Sequence, residues 1–311
     1  MTDSVRWDLD GAVATITLNR PQARNALTAE LKTALLGALR QAASSSQVRA
    51  VLITGAGQAF CAGQDLREHA ELLGAGGPGE ATPAAGAPPS GAPAARTPAG
   101  SASAVAPAPA GAQPSAALDG SRPSAAPAPL DTVREHYNPL VLAIRSMPKP
   151  VVAAVNGVAA GAGAGLAFAC DLRVAAQGAS FLMAFARVGL AADTGVSWTL
   201  PRLAGAGRAA ELLMLAEPVR APQALELGLV NQVVADADLL TVAGALAARL
   251  AAGPTAAYAG IKEQLDFAAG HGLGEALDKE AEVQTALGRT EDHRAATLAF
   301  TRKQEPRFLG R

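Results

Sequence analysis

The sequence predicts an α/β fold that ends in an all-helical region, and three observations lead to this prediction. Short apolar strand patterns alternate with helix patterns over residues 1–74 and 130–235, which is typical of α/β proteins. An Asp-Gly pair between two segments of alternating polarity predicts an opening β-hairpin. From Asp236 onward only helix patterns occur, and glycines divide them into four helices.

The first 74 residues are predicted to contain three strands and two helices. The strands are residues 5–9, 12–19 and 51–54. Thr28 has a side chain suited to cap a helix that runs to about Ser44. The loop that follows the third strand ends at Asp65, which is placed to cap a short second helix.

Residues 75–129 differ in kind from the rest of the chain. They consist almost entirely of Ala, Pro, Gly and Ser, with no aromatic residue. Such a segment buries too little apolar surface to offset the entropy lost on ordering. We therefore predict a disordered insertion, which serves as a linker rather than as a proline-rich recognition segment.

Beyond the insertion, strand and helix patterns alternate again. The predicted helices are residues 132–146, 196–203, 208–215 and 222–227, and the predicted strands are residues 151–155, 172–175, 181–184 and 230–234. Residues 151–170 carry no charge and resemble a membrane span in composition. Their four glycines favour a strand, a tight turn and a buried helix instead.

Composition limits the classes of function. The formal net charge of −1 provides no general basic field for nucleic acid or an anionic membrane. The two cysteines, Cys61 and Cys170, lack metal or redox spacing, and the four histidines are scattered. Residues 1–10 lack the basic-then-apolar order of a signal peptide. We expect a reduced cytoplasmic protein with no metal site, no membrane segment and no nucleic-acid partner.

Three local patterns carry candidate chemistry. The turns at residues 60–66 and 156–163 place small residues at strand-to-helix junctions, where free backbone N–H groups can face an anion. Asp193 lies in an apolar neighbourhood just before a predicted helix, where burial raises a carboxyl pKa and the helix N-terminus lowers it. Each pattern alone also fits a structural role, namely close helix packing for the turns and ordinary helix capping for Asp193.

The order of motifs along the chain resembles the crotonase (enoyl-CoA hydratase/isomerase) superfamily. The matching segments are LNRP at residues 18–21, RNAL at 24–27, TGAG at 54–57, FCAGQD at 60–65, KPVVAAVNG at 149–157, GAG at 161–163, CD at 170–171, LPRL at 200–203 and GLV at 228–230. Residues 156–164 and 183–190, together with Asp193, look most similar to the isomerases of phenylacetate breakdown. The insertion has no counterpart in this resemblance.

The resemblance implies a fold and a way of holding substrate. The fold is a spiral of ββα units, followed by a helical C-terminal region through which the chain forms a trimer or a hexamer. The backbone N–H groups of Gln64 and Ala162 would bind the oxygen of a coenzyme A thioester. Family members usually have glycine at the position of Ala162, so alanine serves only if its φ is negative.

The departures from the family pattern point to one reaction. Hydratases carry two glutamates that activate water, and this chain has Gly165 and Phe185 at those positions. A single carboxylate, Asp193, can still move a proton from one carbon to another, which shifts a double bond or rearranges an epoxide. The aryl dehalogenases of the family have a tryptophan at the position of Phe185, so phenylalanine argues against that chemistry.

The resemblance also assigns residues to coenzyme A, which is expected as part of the substrate and not as a separate cofactor. The implied contacts are Arg24 near the nucleotide phosphates, Ala62, Gln64, Asp65 and Leu66 along the adenine and pantetheine path, Phe185 at the acyl group, and Lys262 toward the phosphates of a neighbouring subunit. Arg24 fits equally well as a solvated loop arginine, and Lys262 as a surface lysine. Asp65 is better explained as a helix cap.

Two alternative functions remain at this stage. One is a hydratase in which Asp193 works with a water held by the backbone. The other is a non-catalytic member of the superfamily that binds a coenzyme A ester or RNA, although the balanced charge argues against RNA. Trp198 and Tyr137 are expected to pack in the core or to wall the acyl pocket. Cys61 is expected to be a small packed residue rather than a nucleophile.

Overall fold

Two β-sheets lie at the centre of this computed structural model, which describes residues 3–74 and 131–311. The six-stranded sheet contains Val5–Asp10 (β1), Val13–Leu18 (β2), Ala50–Gly55 (β3), Val151–Val155 (β5), Leu172–Ala176 (β7) and Gln232–Val234 (β10), in that order. The four-stranded sheet contains Ala59–Cys61 (β4), Val158–Ala160 (β6), Ser180–Leu182 (β8) and Val219–Arg220 (β9). Only β1 with β2 and β8 with β9 run antiparallel within the described pairings.

Helices cover the sheets and form the end of the chain. They are Ala29–Ser44 (α1), Leu66–Gly74 (α2), Asn138–Arg145 (α3), Ala162–Ala169 (α4), Val196–Ala204 (α5), Ala206–Leu215 (α6), Ala221–Glu226 (α7), Leu239–Ala252 (α8), Thr255–Ala268 (α9), Leu273–Leu287 (α10) and Glu291–Thr301 (α11). Short 3₁₀ turns at Pro21–Ala23, Ala184–Val188 and Asp236–Asp238 connect some of them, and a π-helical turn at Val133–Tyr137 leads into α3.

The sheets are built by a repeated ββα unit. In each of the pairs β3–β4, β5–β6 and β7–β8, the first strand joins the large sheet and the second joins the small one. Gly157, between β5 and β6, lies so close to the carbonyl of Gln58 that a Cβ atom would overlap it. Successive units therefore stack backbone against backbone. The predicted α/β class and spiral of ββα units are confirmed.

Small side chains fill most of the core. Every residue of α4 is buried, and Phe168 on this helix stacks on Phe181 with 5.5 Å between ring centroids. Helix α8 packs its face of Ala243, Ala247 and Ala251 against β3, β5 and β7. This explains why an alanine-rich, aromatic-poor composition still yields a large buried interior.

The predicted hairpin and the cap of α1 are confirmed. β1 pairs with β2 around Gly11, which has φ +56°, and the Thr28 side chain accepts a hydrogen bond from Leu31 N at 3.2 Å. Strands β4, β6 and β9 were not predicted, because strands of two or three residues are too short to show a readable alternation. The disordered insertion predicted for residues 75–129 lies outside the described residues.

The C-terminal segment is tied to the rest of the fold. Asp292 accepts hydrogen bonds from the backbone N–H groups of Leu309 and Gly310, and Arg49, just before β3, donates to the carbonyl of Phe308.

Within the described residues, no single helix is both long and apolar enough to cross a bilayer. Two consecutive helical segments, Asp236–Ala252 and Thr255–Ala268, are together long and apolar enough, but the chain bends by 102° between them.

Candidate active site

The two predicted anion-facing turns lie against each other. A Cβ atom on Gly63 would lie 2.8 Å from the Ala160 oxygen and 3.6 Å from the Ala162 nitrogen. Leu27 donates to Gly63 O at 2.7 Å and accepts from Asp65 N at 3.2 Å. Leu27 and Gln64 thus form a parallel β-bridge. The carbonyl of Gly63 and the N–H of Asp65 point toward Leu27, so the N–H of Gln64 points away from it.

Ala162 provides the second N–H group. It is the first residue of α4, where a backbone N–H has no partner within the helix. The preceding Gly161 takes the left-handed φ of +50°, and Ala162 itself does not have a positive φ. In the part of the chain that is described, neither this N–H nor that of Gln64 has a hydrogen-bond acceptor. Two free donors in adjacent turns are suited to bind one oxygen with partial negative charge.

Glycine also fixes the start of α4 against β4. A Cβ atom on Gly163 would overlap the carbonyl oxygen of Cys61. Any side chain at this position would push the helix away from the other turn. The close approach of Gly163 to Cys61 therefore keeps the N–H groups of Gln64 and Ala162 in neighbouring turns.

Asp193 lies in a strained loop just before α5. Thr194 has φ +51° and Gly195 has φ +72°, so two successive residues adopt the left-handed conformation. The hydroxyl of Thr194 donates to Asp193 Oδ1 at 2.6 Å. Helix α5 begins after Gly195 and no side chain caps it, so Asp193 is not the helix cap that its local sequence allowed.

Burial determines the acidity of Asp193. It raises the pKa of the carboxyl, while the hydrogen bond from Thr194 and the charge of Lys32 act in the opposite direction. The sequence left the sign of this shift open, and the structure assigns it as upward. A carboxylate with a raised pKa is a stronger base than an exposed one.

The two positions that the resemblance gives to the hydratase glutamates are Gly165, which lies against Thr194, and Phe185, which lies near Gly161. A Cβ atom on Gly165 would lie 2.7 Å from Thr194 Cβ and 2.8 Å from Thr194 O. Phe185 is almost fully buried, and its Cε1 atom lies 3.9 Å from the Cβ position of Gly161. Neither position supplies a carboxylate, and Gly165 allows α4 to contact the loop that holds Asp193.

A buried lysine joins this region and was not found by the sequence analysis. Lys32 on α1 is only 2% exposed. Its Nζ donates to Gln64 Oε1 at 3.1 Å and to Thr132 Oγ1 at 2.6 Å, and it lies 4.9 Å from the centroid of the Tyr137 ring. The Tyr137 hydroxyl donates to the same Gln64 oxygen. The side chain of Gln64 is therefore held by two donors.

Lys32 interacts electrostatically with the carboxylate of Asp193. Burial lowers the pKa of Lys32, and the negative charges of Glu68 and Asp193 oppose that shift. Burial raises the pKa of Tyr137, and the charge of Asp193 adds to it. At neutral pH the tyrosine therefore stays protonated and can donate a hydrogen bond.

The sequence did contain a signal for Lys32. It occupies the buried face of α1, in line with the core residues Leu35 and Leu39 at three and seven positions further on. A charged residue on the apolar face of an amphipathic helix is uncommon, because an unpaired buried charge is costly. Tyr137 was expected to lie in the core or at the acyl pocket, and it is buried.

The residues assigned to the coenzyme A path lie around the first turn. The side chain of Arg24 is exposed, and its carbonyl accepts from the N–H of Ala62 at 3.0 Å. Leu66, the first residue of α2, is also largely exposed. Both side chains are exposed to solvent beside the turn, and their contacts with coenzyme A stay predictions.

Asp65 has structural partners. Its Oδ1 accepts from the backbone N–H of Arg67 at 3.1 Å at the start of α2, and its Oδ2 accepts from Arg20 Nη1 at 2.9 Å. Both oxygens are thus engaged within the chain. The geometry agrees with the helix-cap interpretation of this residue.

Lys262 is not brought to the site. Its Nζ donates to Asp171 Oδ2 at 2.8 Å and to the carbonyls of Ile144 and Lys149, each at 3.2 Å. The same Asp171 oxygen accepts from Val151 N at 2.8 Å at the start of β5. All three donors of Lys262 are used within the chain, and its contact with coenzyme A of a neighbouring subunit stays a prediction.

Cys61 borders the first turn but is not equipped as a nucleophile. It is fully buried, and burial raises the pKa of its thiol to about 12. A thiol with this pKa remains protonated at neutral pH. Among the described residues, no group of three or more His, Cys, Asp or Glu side chains could hold a metal ion.

Comparison with known proteins agrees with this fold and these motifs. The family model of the enoyl-CoA hydratase/isomerases matches residues 8–76 and 119–311. A Rhodobacter capsulatus protein named as a probable enoyl-CoA hydratase is 37% identical over 99% of this chain and 98% of its own length. The 1,2-epoxyphenylacetyl-CoA isomerase of Escherichia coli is 35% identical over 100% of both chains.

A solved structure gives the same result. The crystal structure of a Mycobacterium abscessus protein, provisionally described as an enoyl-CoA hydratase/isomerase, superposes with a TM-score of 0.80. It is 40% identical in sequence, over 99% of this chain and 100% of the other. The chain belongs to the enoyl-CoA hydratase/isomerase family, and it is an enzyme of that family.

Proposed function

We propose that this protein is an acyl-CoA isomerase that shifts a double bond, or rearranges an epoxide, through a thioester enolate. The observation that carries the proposal is the half-buried carboxylate of Asp193, whose loop packs against α4, the helix that provides the free N–H of Ala162. The positions that the family resemblance gives to the hydratase glutamates hold Gly165 and Phe185. Because the Escherichia coli relative acts as a 1,2-epoxyphenylacetyl-CoA isomerase, phenylacetate breakdown or fatty-acid breakdown is the proposed setting.

The reaction begins with binding of the thioester oxygen by the N–H groups of Gln64 and Ala162. Proton removal next to the carbonyl places negative charge on this oxygen, and each such donor stabilises the developing charge by about 3–4 kcal/mol. Asp193 takes the proton from one carbon and returns it to another. The acyl group ends with the same atoms that it started with, so no water and no further cofactor are consumed.

The pKa of Asp193 suits this double role. A group that must first accept and then release a proton works best when its pKa lies near the pH of the reaction. Burial moves the carboxyl in that direction. The hydrogen bond from Thr194 orients the carboxylate while leaving its second oxygen for the substrate.

The assembly and setting of the enzyme belong to the same proposal. A homotrimer, or a pair of trimers, follows from the resemblance to the family, with the C-terminal helices at the interface. A cytoplasmic location is the companion proposal. The acyl-CoA thioester is the one ligand that the proposal requires, with no nucleic acid and no membrane.

An enoyl-CoA hydratase is the second candidate, favoured by the name of the Rhodobacter capsulatus relative. It would need Asp193 to activate a water that the backbone holds. The two candidates differ in an assay with crotonyl-CoA. Loss of the absorbance of the conjugated thioester would favour the hydratase, and stable absorbance favours the isomerase.

Asp193→Asn tests the proposal directly. We expect turnover of a 3-enoyl-CoA to disappear, because the amide cannot accept the proton, while binding of a coenzyme A ester persists. Calorimetric titration with that ester serves as the control for a folded site. Full activity of Asp193→Asn would refute the proposed function.

A further inference from the structure

Lys32 is a buried ammonium group whose direct partners are all neutral. Its hydrogen-bond acceptors are the amide oxygen of Gln64 and the hydroxyl of Thr132, and its third contact is the face of the Tyr137 ring. It forms no ion pair with a carboxylate of the described residues. Removing a charge from water without an ionic partner costs free energy, so the fold retains Lys32 at a cost.

The charged groups around Lys32 come from three other elements. Glu68 on α2 accepts from the N–H of Ala29, and Gln64 Nε2 reaches it at 3.5 Å. His136, on the π-helical turn, shares the Thr132 hydroxyl with Lys32 at 3.2 Å. Asp193, in the loop before α5, interacts with Lys32 electrostatically and without a hydrogen bond. Glu68 and Asp193 are the two carboxylates whose charges act on Lys32, and neither of them forms an ion pair with it.

Lys32 also acts on one of the two turns. Lys32 and Tyr137 donate to the same oxygen of Gln64, so the amide of that side chain is fixed from two sides. The backbone N–H of this residue is one of the two donors that face the site. A side chain held in this way restricts the rotation of the peptide group to which it belongs. Lys32 therefore contacts neither the N–H of Gln64 nor the carboxylate of Asp193. It acts on the first through the Gln64 side chain and on the second through its charge.

We propose that Lys32 is a positioning residue for the reaction, whose ammonium group fixes Gln64 and with it the backbone N–H that binds the thioester oxygen. This inference rests on the proposed function. Its physical basis is that the Gln64 side chain is held by two donors, which limits the movement of the turn to which it belongs. The positive charge of Lys32 also favours the ionised form of the Asp193 carboxyl, which burial opposes.

The chain offers a matched control in Lys149. This second buried lysine is 8% exposed, and its Nζ donates to the carbonyls of Ala42 at 2.5 Å and Ser45 at 2.7 Å. Burial lowers its pKa, as it does for Lys32. Its partners join the end of α1 to the start of β5, and none of them belongs to the candidate site.

The test compares Lys32→Met, Lys32→Gln and Lys149→Met in the full-length protein. For each variant, kcat is measured against pH with a 3-enoyl-CoA, and calorimetry gives the affinity for a coenzyme A ester that does not react. For both Lys32 variants we expect kcat to fall by about tenfold or more, because a buried hydrogen bond and a charge are lost. The acid limb of the kcat profile should move to higher pH, because a positive charge near the carboxyl is lost, while ester affinity changes little.

Lys149→Met should lower the melting temperature and leave the acid limb in place. If Lys32→Met does not fold, Lys32→Gln, which keeps a polar side chain, decides the question. Wild-type kcat and an unmoved acid limb in the folded Lys32 variants would overturn the inference. The same result obtained while Asp193→Asn is inactive would remove only the role of Lys32. Full activity of Asp193→Asn would remove the proposed function as well.

Discussion

At the scale of single residues, Asp193 is held in its loop at some cost. Burial raises its pKa, and the left-handed conformation of Thr194 beside it is one that L-residues rarely adopt. Sites that hold a reactive group in this way give up stability for activity. The consequence for stability depends on pH and can be measured.

Asp193→Asn is expected to melt at a higher temperature than the wild type at neutral pH. A carboxyl whose folded pKa is raised contributes stability below its unfolded pKa, and this contribution is lost as pH rises through the folded pKa. Asparagine does not ionise and avoids that loss. Melting curves recorded from acid to neutral pH should show the two proteins converging at low pH. A variant that melts below the wild type at neutral pH would contradict this account of the carboxyl.

Gly165 is the second residue that shapes the site. In Gly165→Ala, the new Cβ meets Thr194 Cβ at 2.7 Å, so the loop must shift and kcat is expected to fall by about tenfold. Gly244→Ala, in α8, is the matched control because open space surrounds its Cβ position. That variant should be stabilised by up to about 1 kcal/mol with unchanged kcat. Equal kcat values in both variants would show that the contact with Thr194 does not position Asp193.

Some residues of the candidate site could be proposed from the sequence and others could not, for physical reasons. Asp193, Gln64 and Ala162 belong to contiguous motifs, so their order along the chain was enough to find them. Lys32 and Tyr137 meet Gln64 only in the folded chain, across separations that no local pattern records. The same holds for the contact of Gly165 with Thr194.

At the scale of elements, helix α9 is joined to the starts of β5 and β7 by one ion pair. Lys262 and Asp171 are 11% and 19% exposed and lie 2.8 Å apart, and burial raises the pKa of Asp171 even so. Removal of one partner leaves the other charge buried without compensation. Loss of one partner should therefore destabilise the fold more than loss of one partner of a surface ion pair.

Lys262→Met is expected to destabilise the fold by about 3 kcal/mol, because it leaves the buried Asp171 without its partner. Lys279→Met is the control, because Lys279 on α10 pairs with Glu263 and Glu282 at the surface and should matter little. Chemical unfolding and calorimetric titration check both variants. A large loss of ester affinity at wild-type stability would instead support the contact of Lys262 with coenzyme A.

Prediction of the elements depended on their length. The opening hairpin, α1 and the four helices after Asp236 are long enough to show their periodicity, and the structure contains them. β4 and β6 are three residues each and follow β3 and β5 after a tight turn. Their strand character comes from pairing between successive ββα units, which only the stacking of the spiral provides.

At the scale of the whole molecule, the C-terminal helices present apolar side chains to the outside. Ile261 and Leu265 lie one turn apart on α9, as do Leu273 and Leu277 on α10. All four side chains are substantially exposed. Paired apolar residues on neighbouring helices are typical of a surface that another chain covers. This agrees with the proposed trimer.

Light scattering after gel filtration should give a mass three or six times that of the 31.1 kDa chain. Leu265→Lys is expected to lower that mass, because it introduces a charge into the apolar surface. Leu9→Lys, on the first strand, is the control and should leave the mass unchanged. A monomeric wild type at micromolar concentration would rule out the proposed assembly.

The central claim is that one carboxylate moves a proton between two carbons of a thioester held by two backbone N–H groups. Mass spectrometry of the product formed from a 3-enoyl-CoA tests this most directly. We expect a product of unchanged mass that has gained the absorbance of a conjugated thioester. A 3-enoyl-CoA left intact, together with a 2-enoyl-CoA converted to a product heavier by one water, would contradict it.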